Sequence, residues 1–379
     1  MKKIRVLQIL DALDSGGAEN VIVSYNARMD QTKYIWDYLI MDVPEIIEGR
    51  LESRVNNLGG KIYRVTRKKK NFIKHCKEVD DVIRKGKYDI VHSNLYELSA
   101  IYLYYAQRAN VRGRIAHIHS LNETRGFMID MFRKFLKPFL LFFANGYVAC
   151  GRNVAKSFWG NRLINKGKVF VLTNAINSEE FKYNSELRNK LRQQYGIEDK
   201  IAVVAIARMT PQKNPRYIMK CFCEFKKIEQ NSILFYIGNG EMEREIAEYA
   251  NELHIEKDVV FMGVRNDINK LYNMFDILIM PSKYEGLPVV AIEAQCNGLN
   301  CLFSDRITDE IMINENAEML SINKPACDWA RKMKELVEEN KKFDRNSGVY
   351  NIKKLGFDIN DTANMLDSYY KDLLGIQTK

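Results

Sequence analysis

The segment Ile201-Ala-Val-Val-Ala-Ile-Ala207 is an unbroken apolar run, and Arg208-Met-Thr-Pro-Gln-Lys213-Asn-Pro215 follows it directly. An apolar run of this length is typical of a strand buried on both faces of a parallel sheet. The next stretch, Pro215–Ile228, has the apolar spacing of an amphipathic helix. The segment therefore predicts a strand, a polar loop and a helix, which together form the repeating unit of an α/β fold.

The same alternation fills the chain on both sides of this segment. Before it, the predicted strands are Ile4–Leu10, Tyr34–Met41, Lys61–Val65, Tyr88–His92, Arg114–Ile118, Gly146–Ala149 and Lys168–Leu172. After it, they are Ser232–Ile237, Asp258–Phe261, Asp276–Met280, Asn300–Phe303 and Glu318–Leu320. Further predicted helices are Ala18–Met29, Phe72–Lys85, Glu186–Tyr195, Glu241–Leu253 and the terminal Asn360–Leu374. With 379 residues, the chain suits two parallel α/β sheets in series.

Charge is unevenly distributed along the chain. Residues 1–175 contain 30 Lys and Arg against 16 Asp and Glu, whereas residues 176–379 contain 28 against 32. A basic first half favours an anionic partner, such as a phosphate-bearing lipid or a membrane surface, although a solvated basic face without a partner is the alternative. Charge alone suggests a nucleic-acid-binding protein. The sequence shows no basic stripe with interleaved aromatic residues that would mark a known nucleic-acid-binding module.

Cysteine usage and hydropathy indicate the compartment. The seven cysteines show no C-x-x-C spacing and lie in apolar stretches, as free thiols of a reducing cytoplasm do. Residues 1–10 are too short a run for a signal peptide, and Phe135–Ala144 contains Lys137 and Pro138, so it does not span a bilayer. We expect a cytoplasmic protein that is soluble or rests on a membrane surface.

Loops that follow strands have priority as candidate sites, because open parallel sheets bind ligands at the carboxyl ends of their strands. The first such loop, Asp11-Ala-Leu-Asp-Ser-Gly16-Gly17-Ala-Glu19, opens a helix. Its glycines allow close approach of a ligand, and the helix N-terminus favours an anion such as phosphate. The loop matches neither the dinucleotide G-x-G-x-x-G pattern nor a P-loop. A purely structural turn is the alternative.

The loop after Ile201–Ala207 presents two cations around a turn. Arg208 and Lys213 are suited to holding a diphosphate and to neutralising a leaving group as its negative charge grows. A helix-start loop without function is the alternative.

Two carboxylates follow the strand Asp276–Met280. Glu285 lies at the entrance of the loop Glu285-Gly286-Leu287-Pro288, and Glu293 lies farther along, within an apolar helix. A carboxylate in apolar surroundings needs a partner, and sugar or ribose hydroxyls would satisfy it. A structural ion pair is the alternative.

Histidine ends the predicted strand Arg114–Ile118. His119 follows it directly, and His117 is on the same face by alternation. A lone histidine at such a position is more often structural than catalytic.

Together these loops resemble glycosyltransferase family 4, the retaining enzymes of GT-B fold. The matching positions are Gly16-Gly17-Ala18-Glu19, His119, Asn174, Arg208 with Lys213-Asn214, Gly238-Asn-Gly240, and Glu285-Gly-Leu-Pro288 with Glu293, the family's E-x7-E motif. The chain departs from the family at Ala175, where Gly is usual, and at Asn239, where Asp is frequent. Neither change removes a charged residue. The sequence as a whole resembles those of bacterial capsular or exopolysaccharide transferases.

The resemblance implies an α/β GT-B fold: two Rossmann-like domains whose parallel sheets face each other across a cleft that holds the donor. Residues 1–180 would bind the acceptor, residues 181–355 the nucleotide sugar, and residues 356–379 would form a helix crossing back to the first domain.

The resemblance also implies a role for each matching residue. Arg208, Lys213, Gly16 and Gly17 would hold the donor diphosphate, and Glu293 the ribose. Glu285 and the amides of Gly286, Leu287, Pro288 and Val289 would hold the donor sugar. His119 would lie beside the scissile bond, so His119 and Glu285 are the catalytic candidates. Base recognition would be largely by backbone, around Gly263, Val264 and Arg265.

The implied reaction transfers a hexose, from a UDP-sugar, with retention and without a dedicated nucleophile. We expect no cofactor and no metal, because the sequence has no D-x-D triplet and Arg208 and Lys213 supply positive charge. The implied acceptor is a saccharide on polyprenyl diphosphate, which would place Arg67–Lys70 and Arg125–Phe143 on anionic lipid. An ordinary amphipathic helix is the alternative for that segment. An epimerase or phosphorylase of the same fold is the alternative enzyme.

Overall fold

The structure is a computed structural model, and it describes residues 2–13, 17–42, 50–120, 126–339 and 343–376. The chain divides into two compact units. Unit 1 comprises Met1–Ala175 together with Ile359–Lys379, and unit 2 comprises Ile176–Asp358. The sequence placed the corresponding boundaries at residues 180 and 355.

Unit 1 is built on a seven-stranded parallel sheet. Its strands are β1 (Ile4–Ile9), β2 (Tyr34–Met41), β3 (Ile62–Val65), β4 (Ile90–Ser93), β5 (Gly113–Ile118), β6 (Gly146–Ala149) and β7 (Val169–Val171). Their order in the sheet is β3-β2-β1-β4-β5-β6-β7, with every neighbouring pair parallel. The order reverses direction beside β1, which is the position where open sheets of this kind bind ligands.

Helices connect these strands, since parallel neighbours need a crossover. They are α1 (Gly17–Arg28), α2 (Arg50–Asn57), α3 (Phe72–Gly86), α4 (Ser99–Arg108), α5 (Phe127–Phe143), α6 (Arg152–Trp159) and α7 (Asn161–Asn165). The last helix of the chain also belongs to unit 1, and we number it α15 (Ile359–Leu373). It packs closely on the sheet: a Cβ atom on Gly146 would lie 2.7 Å from the Tyr369 hydroxyl.

Unit 2 repeats the architecture with six strands. They are β8 (Ile201–Ile206), β9 (Ser232–Ile237), β10 (Val259–Gly263), β11 (Ile277–Met280), β12 (Asn300–Ser304) and β13 (Ala317–Leu320), in the order β10-β9-β8-β11-β12-β13. The helices are α8 (Ser185–Tyr195), α9 (Pro215–Ile228), α10 (Glu243–Glu252), α11 (Ile268–Leu271), α12 (Val289–Cys296), α13 (Ala326–Glu339) and α14 (Ser347–Lys354). The core between sheet and helices is filled by large buried side chains, including Phe222, Phe225, Tyr236 and Trp329.

The structure confirms the predicted pair of parallel sheets, and every predicted strand is present within about two residues of its predicted limits. The largest shifts are two residues: β4 begins at Ile90 rather than Tyr88, and β10 ends at Gly263 rather than Phe261. Before β4, the Tyr88 hydroxyl donates to buried Asp37 at 2.9 Å. The Asp89 main chain donates to the Arg5 carbonyl and accepts from the Gly113 amide, both at 2.9 Å, so it already bonds to both neighbouring strands. Within the described residues, no helix is long and apolar enough to cross a membrane.

Candidate active site

Four loops of unit 2 lie at one edge of its sheet, because β10, β9, β8 and β11 are parallel neighbours and their carboxyl ends emerge together. Two glycines pack the loop after β9 against the loop after β8. A Cβ on Gly238 would lie 2.2 Å from the Ala207 carbonyl oxygen, and one on Gly240 would lie 2.6 Å from that of Met209. The Met209 amide donates to the Asn239 carbonyl at 2.9 Å. The backbone on either side of Arg208 is therefore fixed by main-chain contacts.

The Arg208 side chain is exposed and forms no hydrogen bond or ion pair with any residue that the structure describes, although its carbonyl accepts from the Thr210 amide at 2.9 Å. Its guanidinium group is thus available to an anion, on a loop whose backbone is held in place. Such an arrangement favours a phosphate ligand, since the five N–H donors of arginine match phosphate geometry.

The loop after β8 is joined to the loop after β11 by hydrogen bonds. The Lys283 amide donates to the Gln212 carbonyl at 2.8 Å, and the Gln212 side chain donates to the Tyr284 carbonyl at 2.9 Å. Asn214, at φ 57° before α9, donates its side-chain amide to the Pro281 carbonyl at 3.2 Å. These bonds bring together two loops that lie about seventy residues apart in sequence.

Lys213 and Glu285 form an ion pair through Nζ and Oε1. Their side chains are 19% and 11% exposed, so the pair is shielded but accessible to a ligand. The ammonium group has further donors beyond the one used here. The structure therefore places one cation and one carboxylate side by side. The carboxylate, Glu285, lies three residues before Pro288, the cap of α12.

The start of α12 contributes backbone donors at the same edge. Pro288 caps the helix, which begins at Val289, and the first-turn N–H groups have no carbonyl partner four residues earlier. Gly286 and Leu287 are buried beside it. Ser282 is 1% exposed, and its Oγ has no hydrogen-bond partner among the described residues. This region is suited to polar or anionic groups of a ligand.

Glu293 lies one turn farther along α12 and has one side-chain partner among the described residues. Its Oε2 accepts from the hydroxyl of fully buried Tyr272 at 3.0 Å. Burial raises the pKa of Glu293 from 4.5 to about 7, and the Tyr272 hydrogen bond opposes that rise. The predicted need for a partner is thus met in part, while the carboxylate retains further capacity to accept hydrogen bonds.

The remaining unit 2 candidates end β10 and follow it. The Gly263 carbonyl accepts from the Gly238 amide at 2.8 Å, which joins this loop to the one after β9. Val264 is 55% exposed. The Arg265 guanidinium donates two hydrogen bonds to Asp267, at 2.9 and 2.7 Å. Its charge is therefore paired within the loop.

In unit 1, Gly17 begins α1 and is exposed, and a Cβ placed on it would meet nothing within 4 Å. Open space around this backbone leaves it accessible to a ligand. Gly16 lies outside the described residues.

His119 follows β5, and its ring contacts that of His117 with centroids 3.9 Å apart and planes inclined by 36°. Its Nε2 lies 2.8 Å from the Asn94 side-chain oxygen, whereas its Nδ1 is buried without a partner among the described residues. Burial lowers the pKa of His119 to about 4. The imidazole is therefore neutral at physiological pH and acts as a hydrogen-bonding group, not as a cation.

Sequence reasoning missed the side chains that hold these candidates. Tyr272 and Asn94 are contributed by distant segments, and nothing in their local sequence marks them. Ser282 lies in the loop after β11, but only the structure shows that its buried hydroxyl has no partner among the described residues. Among the described residues, no cluster of three or more His, Cys, Asp or Glu is arranged to hold a metal ion.

Two family models match the chain and together cover most of it. Residues 5–180 match the model described as Glycosyltransferase Family 4, and residues 188–354 match the model described as Glycosyl transferases group 1.

Curated relatives include three bacterial proteins. The putative glycosyltransferase EpsF of Bacillus subtilis is 28% identical over 336 residues, 86% of each chain. The capsular polysaccharide biosynthesis glycosyltransferase CapH of Staphylococcus aureus is 24% identical, over 97% of this chain and 98% of its own. The UDP-Gal:alpha-D-GlcNAc-diphosphoundecaprenol alpha-1,3-galactosyltransferase of Escherichia coli is 27% identical over 59% of each chain.

The fold also matches solved structures. Anabaena Alr3699/HepE in complex with UDP-glucose superposes with a TM-score of 0.80 at 17% identity, covering 97% of this chain and 100% of that one. The expected GT-B fold is thereby confirmed.

The buried carboxylate provides the first prediction. Because the folded-state pKa of Glu293 lies above its ordinary 4.5, the folded state is penalised for carrying the charged form, and stability falls as pH rises from about 4.5 to about 7. We expect Glu293→Gln to raise the melting temperature at pH 8 by at least about 2 °C. The gain should vanish below about pH 4.5.

Thermal melts across this pH range measure the effect. Glu248→Gln is the control, since that carboxylate is 60% exposed. A melting temperature that falls at pH 8 would instead assign Glu293 to a stabilising structural bond.

Proposed function

Because the chain belongs to the family 4 glycosyltransferases of GT-B fold, we propose that it transfers a hexose from a UDP-sugar to a lipid-linked saccharide. The product would be a cell-surface glycan such as a capsular polysaccharide or an exopolysaccharide. The support is that one relative is named for UDP-Gal and a diphosphoundecaprenol-linked substrate, and another for capsular polysaccharide biosynthesis. The observation that carries the proposal is the grouping of Arg208, Lys213, Glu285 and Glu293 at one sheet edge.

In this proposal Arg208 and Lys213 bind the donor diphosphate. The Arg208 side chain is exposed and has no partner in the part of the chain that the structure describes, and the Lys213 ammonium has donors beyond its bond to Glu285. As the bond to the sugar breaks, negative charge grows on the diphosphate, and fixed cations stabilise it most in that state. In unit 1, the exposed backbone of Gly17 is the candidate for the same role.

Glu285 holds the donor sugar and is not a nucleophile. Its carboxylate is already paired with Lys213, which reduces its reactivity while leaving an oxygen for a sugar hydroxyl. The amides from Gly286 to Val289, except that of Pro288, add further donors. Transfer proceeds with retention: the acceptor attacks on the face that the diphosphate leaves, and a donor phosphate oxygen takes the acceptor proton.

Glu293 binds the ribose. Two hydroxyl donors would satisfy the carboxylate more fully than Tyr272 does alone and would lower its pKa, so nucleotide binding and proton release are linked. The backbone of Gly263, Val264 and Arg265 binds the base, since the Arg265 side chain is engaged by Asp267.

His119 contacts the donor sugar through Nδ1. This nitrogen is buried and has no partner among the described residues. In a neutral imidazole it can accept a hydrogen bond from a sugar hydroxyl. His119 thus orients the sugar and has no acid–base step.

A membrane surface is the proposed location of the acceptor. Helix α5 exposes a row of large apolar side chains at a spacing of three and four residues: Met128, Met131, Phe132, Phe135, Phe139 and Phe142. Exposed Lys134 lies between Phe132 and Phe135 in the sequence, beside this row on the helix. A row of this kind with a cation is suited to lying in the headgroup region of an anionic leaflet. We place the enzyme on the inner face of the cell membrane.

Acceptor-dependent transfer tests the function. We expect release of UDP from one UDP-sugar only when a polyprenyl-diphosphate saccharide is present. Arg208→Ala should lower kcat by about 10²- to 10³-fold, because it removes charge stabilisation of the leaving group. Arg216→Ala is the control, since Arg216 lies on the next helix and pairs with Glu245 at 2.8 Å. Donor turnover without acceptor would indicate an epimerase or a phosphorylase instead.

Chelation tests the metal requirement. If Arg208 and Lys213 supply the positive charge, EDTA should leave kcat within about twofold of its untreated value. Adding Mg²⁺ or Mn²⁺ after dialysis should not raise it. Loss of activity in EDTA with recovery in Mn²⁺ would contradict metal independence.

Vesicle flotation tests the membrane surface. Phe135→Ser with Phe142→Ser should abolish flotation with vesicles containing anionic lipid, because the variant removes two of the most exposed apolar side chains of α5. Tyr350→Ser, at a 66% exposed position of unit 2, is the control. Flotation that does not depend on anionic lipid or on α5 would remove this part of the proposal.

A further inference from the structure

Six polar side chains form a closed ring in the interior of unit 1, joined by five hydrogen bonds and one contact between two imidazole rings. They come from β1, β4 and the loop after it, β5 and the residue after it, and α15: Gln8, His92, Asn94, His117, His119 and Tyr370. The four members other than Asn94 and His119 are fully buried. The ring joins the last helix of the chain to His119 by two routes.

The first route runs through amides. The Gln8 Nε2 donates to the Tyr370 hydroxyl at 3.3 Å, and the Asn94 Nδ2 donates to the Gln8 Oε1 at 3.1 Å. The Asn94 Oδ1 lies 2.8 Å from the His119 Nε2.

The orientation of the Asn94 amide is set jointly by the Gln8 oxygen, the nearest acceptor to its Nδ2 at 3.1 Å, and by two main-chain carbonyls. Its Nδ2 also lies 3.2 Å from the Ile9 carbonyl oxygen and 3.4 Å from that of His92, and both can only accept. The Asn94 Oδ1 is therefore the acceptor towards His119. Consequently His119 is the Nε2–H tautomer, and its Nδ1 bears an unshared lone pair.

The second route runs through imidazoles. Since the Gln8 Nε2 donates to the Tyr370 oxygen, the phenol proton is free to donate to the His92 Nδ1, 2.8 Å away. The His92 Nε2 then donates to the His117 Nδ1 at 3.2 Å. The His117 ring lies against the His119 ring, with centroids 3.9 Å apart and planes inclined by 36°, and so restricts its rotation.

We propose that Tyr370 is a positioning residue of the transfer reaction: through this ring, α15 holds His119 in the tautomer and plane that offer Nδ1 to a substrate hydroxyl. The inference rests on the proposed role of His119. One hydroxyl serves both routes, since it accepts from Gln8 and donates to His92. Removing it leaves the Gln8 amide free to turn and the proton of His92 free to move to the other nitrogen.

Histidine tautomers can be read directly by ¹⁵N NMR of selectively labelled protein. The chain has five histidines. His75 is an internal reference for the opposite tautomer, because its Nδ1 lies 2.7 Å from the Thr66 carbonyl oxygen and must donate to it. His254 is exposed and provides the solvent-averaged reference. In the wild type we expect His92 and His119 to carry their protons on Nε2.

Tyr370→Phe removes the hydroxyl and keeps the ring. We expect His119 to become a mixture of tautomers and kcat to fall about tenfold, the effect of losing one neutral hydrogen bond to substrate. Tyr34→Phe is the matched control. Its hydroxyl joins the same sheet to the same helix by donating to Asp367 at 2.8 Å, outside the ring. It should leave the His119 tautomer and kcat unchanged, whatever its effect on the melting temperature.

Three results would overturn the inference: an Nδ1–H tautomer on His119 in the wild type, an unchanged tautomer in Tyr370→Phe, or equal kcat losses in Tyr370→Phe and Tyr34→Phe. The wild-type spectrum tests the inference through the His119 tautomer even if Tyr370→Phe fails to fold. The tautomers are measured without substrate. A wild type with the expected tautomers but no transfer activity would therefore contradict the proposed function alone.

Discussion

Parallel pairing of adjacent strands is the constraint on which both candidate regions depend. Two parallel neighbours end at the same edge of a sheet, so residues that follow them are brought together however far apart they lie in sequence. In unit 1 this pairing places Gln8 of β1 directly beside His92 of β4. In unit 2 it places the loops after β8 and β11 side by side, which allows Lys213 to pair with Glu285.

This constraint explains why the fold and the candidate residues could be predicted from sequence. Each strand is short, apolar and separated from the next by a helix, a pattern that is local. Charged or glycine-rich loops directly after strands drew attention to Arg208 and Glu285 for the same reason. The exact strand limits could not be predicted, as at β4, where Asp89 forms main-chain hydrogen bonds with both neighbouring strands although the strand begins at Ile90.

The partners of those residues could not be predicted, because they depend on contacts between distant segments. Tyr370 lies 278 residues from His92, and Tyr272 reaches Glu293 from a short helical turn that has no motif. The glycines of Gly238-Asn-Gly240 are a further case. The sequence identifies them only as a resemblance, whereas the structure shows that any Cβ there would collide with the backbone around Arg208.

Glu293 and His119, two buried titratable candidates, carry opposite charges when ionised, but burial affects both in the same way. Burial raises the pKa of Glu293 to about 7 and lowers that of His119 to about 4, so both are driven towards their neutral forms. Among the described residues, each keeps an acceptor for a further hydrogen bond: a carboxylate oxygen on Glu293 and the Nδ1 lone pair on His119. A hydroxyl donor satisfies such an acceptor without bringing a compensating charge. Arg208 and Lys213 differ from both, because they carry the positive charge that a phosphate group requires.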